Sequence, residues 1–183
     1  MDGYFRIMSG LTHAGACGAV ATSNGELVTD ESILDPFAHY ATAWDGFEGP
    51  FGDFLSPLSN PMVVSERAAA LIQKFALPPQ TVFGRVHLHT ELGGSHLGSA
   101  MMILFRAGTF ELMDPEDAAA DERRSFHDRA HGIGPPPTIV RNATGGYDLL
   151  RGYHVLNICS ARLKSAIESA GFTNCEFIPI AVK

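Results

Sequence analysis

The chain has 183 residues, 45% hydrophobic and 18% charged, which is enough for one domain to bury its own core without staples. Its 19 glycines and 11 prolines form no low-complexity tract, so a disordered tail, a collagen-like rod and a coiled coil are excluded. Twenty acids against 13 bases leave a formal charge of −7, which speaks against a nucleic-acid binder or a protein of anionic membrane surfaces, since both need a basic footprint.

In chain order, Tyr4 to Met8 reads as a first strand. The next stretch is rich in Gly, Ala, Ser and Thr, and Leu27-Val28 is a weak extended signal. Between Pro36 and Pro61 the chain is dense in turn formers and carries Trp44, Phe47, Phe51 and Phe54. This predicts irregular structure pinned to the core by its aromatics.

The clearest unit starts at Pro61. Met62-Val63-Val64 is a short strand and Ser65 stands at an N-cap position. A helix is predicted from Glu66 to Phe75, with Ala68, Leu71, Ile72 and Phe75 on one apolar face and Pro78-Pro79 as its stop. Thr81 to Leu88 then alternates as a strand, with Val82, Gly84, Val86 and Leu88 on one side and Phe83, Arg85, His87 and His89 on the other.

Ser99 to Leu112 predicts a strand pair or one long bent strand. Its apolar run, residues 100–105, falls far short of the roughly 18 residues of a membrane span. An acidic, alanine-rich stretch from Asp114 to Asp121 suits a short helix capped by Asp114, and 132–137 is a loop by composition.

A second copy of the strand–helix–strand unit closes the chain. Tyr153 to Cys159 is a strand, Ser160 an N-cap, and Ala161 to Ala170 a helix with Leu163, Ala166, Ile167 and Ala170 inward. Gly171 follows as a C′ residue. Phe177 to Val182 is the last strand, at a sheet edge because Pro179 lacks an N–H. The two units align without a gap at an offset of 95 residues, which places Ser65 on Ser160, Arg67 on Arg162 and Ile72 on Ile167. The expected architecture is α+β: a single compact domain over 1–183 with a mixed or antiparallel sheet. Residues 1–60 form its irregular acidic part, and 61–90 and 150–182 form two related units, a possible pseudo-repeat.

Charge is segregated along the chain. From Ile7 to Glu66 there is no Lys or Arg but eight acids, Glu26, Asp30, Glu31, Asp35, Asp45, Glu48, Asp53 and Glu66. Arg67 to Lys183 carries 12 bases and 11 acids. One consequence is solubility. The other is an acidic face, built from Asp30, Glu31, Asp35, Asp45, Glu48 and Asp53, that would dock a basic protein steered by the field.

Signals for catalysis are sparse. His87 and His89 share a strand face with Glu91 and His96 close in sequence, and two imidazoles with a carboxylate can hold a metal. His127 and His131 stand four apart without the intervening Glu of a zinc protease. Cys17, Cys159 and Cys175 lack CxxC spacing and read as reduced, structural thiols, and Cys159 and His154, five apart in a strand, face opposite sides. No GxSxG elbow and no phosphate-cradling loop occurs. The chain is read as no enzyme, with no cofactor. The first residues make a poor signal peptide, and the expected location is the cytoplasm.

Val63-Val64-Ser65-Glu66-Arg67 before an amphipathic helix resembles the middle of the bacterial immunity-protein family Imm11. The ending resembles it too: a Tyr-initiated strand, a Ser-x-Arg-Leu-Lys helix, then residues 171–179 (GFTNCEFIP). The resemblance covers 61–90 and 150–182. It implies a small α/β protein that binds and neutralises a cognate toxin in a polymorphic-toxin system, without catalytic residues. Toxins that attack nucleic acid tend to be basic, so the acidic face is the expected contact. Two alternatives stand beside this reading: a small metal-dependent enzyme using His87, His89 and Glu91, and a regulatory protein-binding module.

Overall fold

The computed structural model describes residues 3–8, 17–22, 39–43, 51–56, 61–90, 95–106, 110–113, 116, 119, 138–152 and 156–183. The fold is α+β. Its elements run β1 (Tyr4–Met8), β2 (Cys17–Thr22), β3 (His39–Ala43), β4 (Phe54–Ser56), β5 (Met62–Val64), α1 (Glu66–Ile72), β6 (Thr81–His89) and β7 (His96–Phe105). After them come β8 (Thr138–Ile139), a 3-10 turn at Arg141–Thr144, β9 (Leu149–Gly152), β10 (Leu156–Ser160), α2 (Ala161–Ser169) and β11 (Glu176–Val182).

Among the described residues the strands form two sheets. One has the order β8-β11-β1-β10-β9 and the other β2-β3-β6-β7-β5-β4. Strand β7 pairs antiparallel with both β5 and β6, so β5 and β6 run parallel with β7 between them, and α1 is the crossover that joins them. Strand β1 fills the same place in the other sheet. It pairs antiparallel with β10 and β11, which α2 connects.

Each helix forms for local reasons. The Ser65 hydroxyl accepts from the Ala68 N–H at 3.2 Å, and the Ser160 hydroxyl accepts from the Leu163 N–H at 3.2 Å. These are the expected N-caps, each satisfying a donor that the first helical turn leaves orphaned. Helix α1 stops three residues before the expected Phe75. Lys74 and Phe75 donate instead to Leu71 and Ile72, so the last turn tightens to i→i+3 spacing. In α2, Leu163 and Ile167 are buried, but Ala170 is exposed at the C-cap and does not belong to the inward stripe. Gly171 takes the left-handed conformation expected of C′ (φ 63°).

The largest core cluster draws on both sheets and both helices. It holds Ile7, Leu149 and Cys159 from one sheet, Phe54, Met62, Val64 and Ile103 from the other, and Ile72, Leu163 and Ile167 from the helices. Val86, Leu88, Met102 and Leu104 pack on the other face of the β6–β7 pair, which gives β6 the alternation read from its sequence. Leu112, Ile139, Leu150, Ile158 and Ile180 form a third cluster on the β1 sheet. β6 approaches β7 closely at Gly84: a Cβ there would lie 2.4 Å from the Met102 methyl and would displace the end of that side chain.

Three expectations change. The stretch 36–61 is not wholly irregular, because it holds β3 and β4, and Phe54 is fully buried in β4. The segment from Ser99 is one strand to Phe105, after which 110–113 makes only isolated bridges, Phe110 to Gly152 and Met113 to Ile139. β11 is not the outermost strand, since β8 pairs in parallel with Ala181 and Val182, beyond Pro179. The weak signal at Leu27-Val28 and the loop at 132–137 lie outside the described residues. So does the acidic helix, apart from Glu116 and Ala119, which are helical.

Candidate functional site

Two Asp–Ser–Arg clusters stand at matching positions, and they are the most structured polar sites among the described residues. In the first, Asp53 lies just before β4 and is 4% exposed. Its Oδ1 accepts from the Ser65 hydroxyl at 2.6 Å and from Arg67 Nε at 2.7 Å, and its Oδ2 accepts from Arg67 Nη2 at 2.5 Å. This is the two-pronged guanidinium–carboxylate geometry. The Thr173 backbone N–H and hydroxyl also donate to Oδ2, at 2.9 and 3.2 Å.

The second cluster repeats the first. Asp148, also 4% exposed, lies just before β9. Its carboxylate accepts from the Ser160 hydroxyl at 2.6 Å, from Arg162 Nε at 3.2 Å and from Arg162 Nη2. The Ala76 backbone N–H donates to Oδ2 at 2.9 Å. In both clusters the Ser hydroxyl gives its proton to the carboxylate and uses its lone pair to cap the helix, so the Asp fixes the cap's orientation.

The ties cross between the two units. Asp53 reaches the segment after α2, and the Arg67 guanidinium lies 4.8 Å from the centroid of the Phe172 ring. Asp148 reaches the segment after α1, and Arg162 lies 5.4 Å from the centroid of the Phe75 ring. The backbones follow suit: the Asp53 N–H donates to the Thr173 carbonyl at 3.2 Å, and the Asp148 N–H to the Ala76 carbonyl at 2.7 Å. Gly52 sits against this seam, where a Cβ would lie 2.6 Å from the Asn174 Cβ.

The electrostatics follow from the contacts. Burial pushes the Asp53 carboxyl up, but hydrogen bonds from Arg67, Ser65 and Thr173, together with the Arg67 charge, outweigh it and hold the pKa at about 2. Asp148 is shifted the same way: burial opposes ionisation, and the bonds from Arg162, Ser160 and Ala76 prevail. Both acids are therefore ionised at neutral pH and engaged on both oxygens. They are holding groups, and neither is poised to exchange a proton near pH 7.

Asp53 thus leaves the acidic docking face. Sequence alone groups it with the surface acids, but its carboxylate is buried and faces its own ligands. Glu66 is exposed and pairs with Arg85 at 3.5 Å. Asp30, Glu31, Asp35, Asp45 and Glu48 lie outside the described residues, as do Glu91, His127, His131 and His154.

His87 and His89 flank the His96 ring, with centroids 5.7 and 5.5 Å from it, where β6 runs into β7. Among the described residues no group of three or more His, Cys, Asp or Glu is arranged to hold a metal ion. Burial raises the Cys159 thiol far above its usual range and lifts Cys175 to about 11, so neither is a ready nucleophile. A polar cleft of about 620 Å³ opens beside the second cluster, lined in part by Tyr4, Arg141, Asn142, Gly145, Gly146 and Arg162. Gly145 and Gly146 both take positive φ (60° and 74°).

Sequence reasoning finds Ser65 and Ser160 but misassigns Asp53 to a surface and misses Asp148. The available signal is the 95-residue offset, which carries Asp53 onto Asp148 once the alignment is extended 12 residues upstream of the caps. No protein-family model matches the chain, and no curated protein matches it. Among the described residues no helix is long and apolar enough to cross a membrane.

Proposed function

We propose that the protein is an immunity protein that binds and neutralises a basic bacterial toxin in the cytoplasm by protein–protein contact, without catalysis. The observation that carries this reading is the charge segregation: eight acids and no base lie between Ile7 and Glu66. The resemblance of 61–90 and 150–182 to an immunity-protein family points the same way. With Asp53 engaged internally, the acids proposed for the toxin contact are Asp30, Glu31, Asp35, Asp45 and Glu48. A field of one sign accelerates encounter with a basic partner and repels nucleic acid, which suits an inhibitor that must reach a toxin before its substrate does. The two Asp–Ser–Arg clusters serve the scaffold in this reading and take no part in the contact.

The test is rescue. The polypeptide encoded next to this chain is expected to arrest growth when expressed alone and to be silenced by co-expression of this protein. A folded variant carrying Asp30→Asn, Glu31→Gln, Asp45→Asn and Glu48→Gln is expected to bind that polypeptide far more weakly. A harmless neighbour overturns the toxin reading, and unchanged affinity of the variant overturns the acidic face.

A further inference from the structure

We infer that the chain is a tandem duplication whose two halves have exchanged their first strands, so that neither half completes its own sheet. The first half runs β1, β2, β3, β4, β5, α1, β6. The second runs β7, the 110–113 segment, β8, β9, β10, α2, β11. Matched in this order, the strand pairings of one sheet find counterparts in the other, and among the described residues only the parallel bridge from Phe110 to Gly152 has none. β3 lies parallel to β6 as β8 lies parallel to β11. β4 is antiparallel to β5 as β9 is to β10. β2 is antiparallel to β3, and Met113 bridges Ile139 of β8 in the same sense.

The match puts β1 on β7, yet each sits in the other half's sheet. The side chains agree with the exchange. Ile7 of β1 stands opposite Phe177 of β11, and Ile103 of β7 stands opposite Phe83 of β6. Phe5 stands opposite Cys159, and Met101 opposite Val64. All eight residues belong to or pack against one core cluster. Among the described residues the two non-glycine residues with positive φ also correspond: Gln80 (63°) immediately precedes β6 and Asn174 (59°) stands just before β11, 94 residues on, so the ungapped offset of 95 that holds at the caps slips by one residue after the helices.

The physical reason for mutual dependence is the slot. A β–α–β crossover that skips one position leaves two parallel strands with unpaired N–H and C=O groups facing a gap one strand wide, and these must be paired. β6 and β5 have their gap filled by β7 of the second half, and β11 and β10 have theirs filled by β1 of the first. The crossed ties of Asp53 to Thr173 and of Asp148 to Ala76 stitch the same boundary.

The test is a cut between the halves. A protease site is inserted in the connection between His89 and His96, and the folded protein is cut there. The nicked chain is expected to run as a single particle of unchanged size, with the circular dichroism of the intact protein. After separation in denaturant, fragments 1–92 and 93–183 are each expected to lack a cooperative melt, and mixing them is expected to restore one transition. Separation of the nicked chain into two folded pieces, or either fragment melting cooperatively as a monomer, overturns the inference. Hydrogen exchange on the uncut chain gives an independent reading that needs no insertion. The β1 amides are expected to open together with those of β10 and β11; free exchange at β1 while β10 and β11 stay protected contradicts it.

Discussion

The two Asp–Ser–Arg clusters differ less than the segments around them. Both use a carboxylate to orient a serine cap, both bring a guanidinium onto an aromatic ring of the opposite unit, and both bind the backbone just past the opposite helix. The first holds one extra bond, from the Thr173 hydroxyl, and its helix opens with Glu66 where the second opens with Ala161. The charge is not shared in this way, because the acid excess lies in the first third of the chain alone. What is duplicated is scaffold, and the proposed toxin contact draws on acids that the first third of the chain alone carries in excess.

This comparison can be broken in several places. The largest effects belong to the exchanged strands. Ile7 and Ile103 are fully buried in the same core at equivalent places. Truncating either to Ala is expected to cost about 3–4 kcal/mol in chemical denaturation, and unequal costs would show that the two slots are not equivalent.

Acid is expected to act on both clusters at once. The two carboxyls ionise more readily in the folded chain than in the unfolded one, where an Asp titrates at about 3.9. The stability they contribute is therefore complete above about pH 4 and lost as the pH falls through that region toward about 2 for Asp53. The Asp53→Asn/Asp148→Asn double variant is expected to be less stable at pH 7 and to lose less on acidification; a slope with pH as steep as the parent's would sharpen attention on other acids. Smallest are the caps. Ser65→Ala and Ser160→Ala are each expected to cost about 1 kcal/mol, with a little more where the bond to the neighbouring Asp is lost as well.

What the sequence made legible was local. Strand β5, the cap at Ser65, helix α1 and strand β6 follow from hydrophobic period, capping chemistry and proline stops, each readable within a few residues. The same holds for α2, Gly171 and β1. Strand β3 was not legible, because its residues 39–43 (HYATA) sit in a stretch crowded with turn formers and are held by pairing with β6, more than 40 residues on. The role of Asp53 was hidden for a related reason. A lone carboxylate defaults to the surface, and Asp53 stays buried because Ser65, Arg67 and the distant Thr173 all donate to it. The exchange of β1 and β7 is further still from local sequence, since hydrophobic alternation says that a strand pairs but not with which partner.

The account rests on the two units being one cooperative structure tied from both sides, and urea denaturation of Asp53→Ala and Asp148→Ala side by side tests it most directly. Each variant loses a buried acceptor that several donors share, at a cost of about 2–3 kcal/mol. Both are expected to shift the midpoint by similar amounts while keeping one transition with an unchanged slope. A silent substitution at one aspartate, or a transition that splits in two so that one unit survives the other, would contradict it.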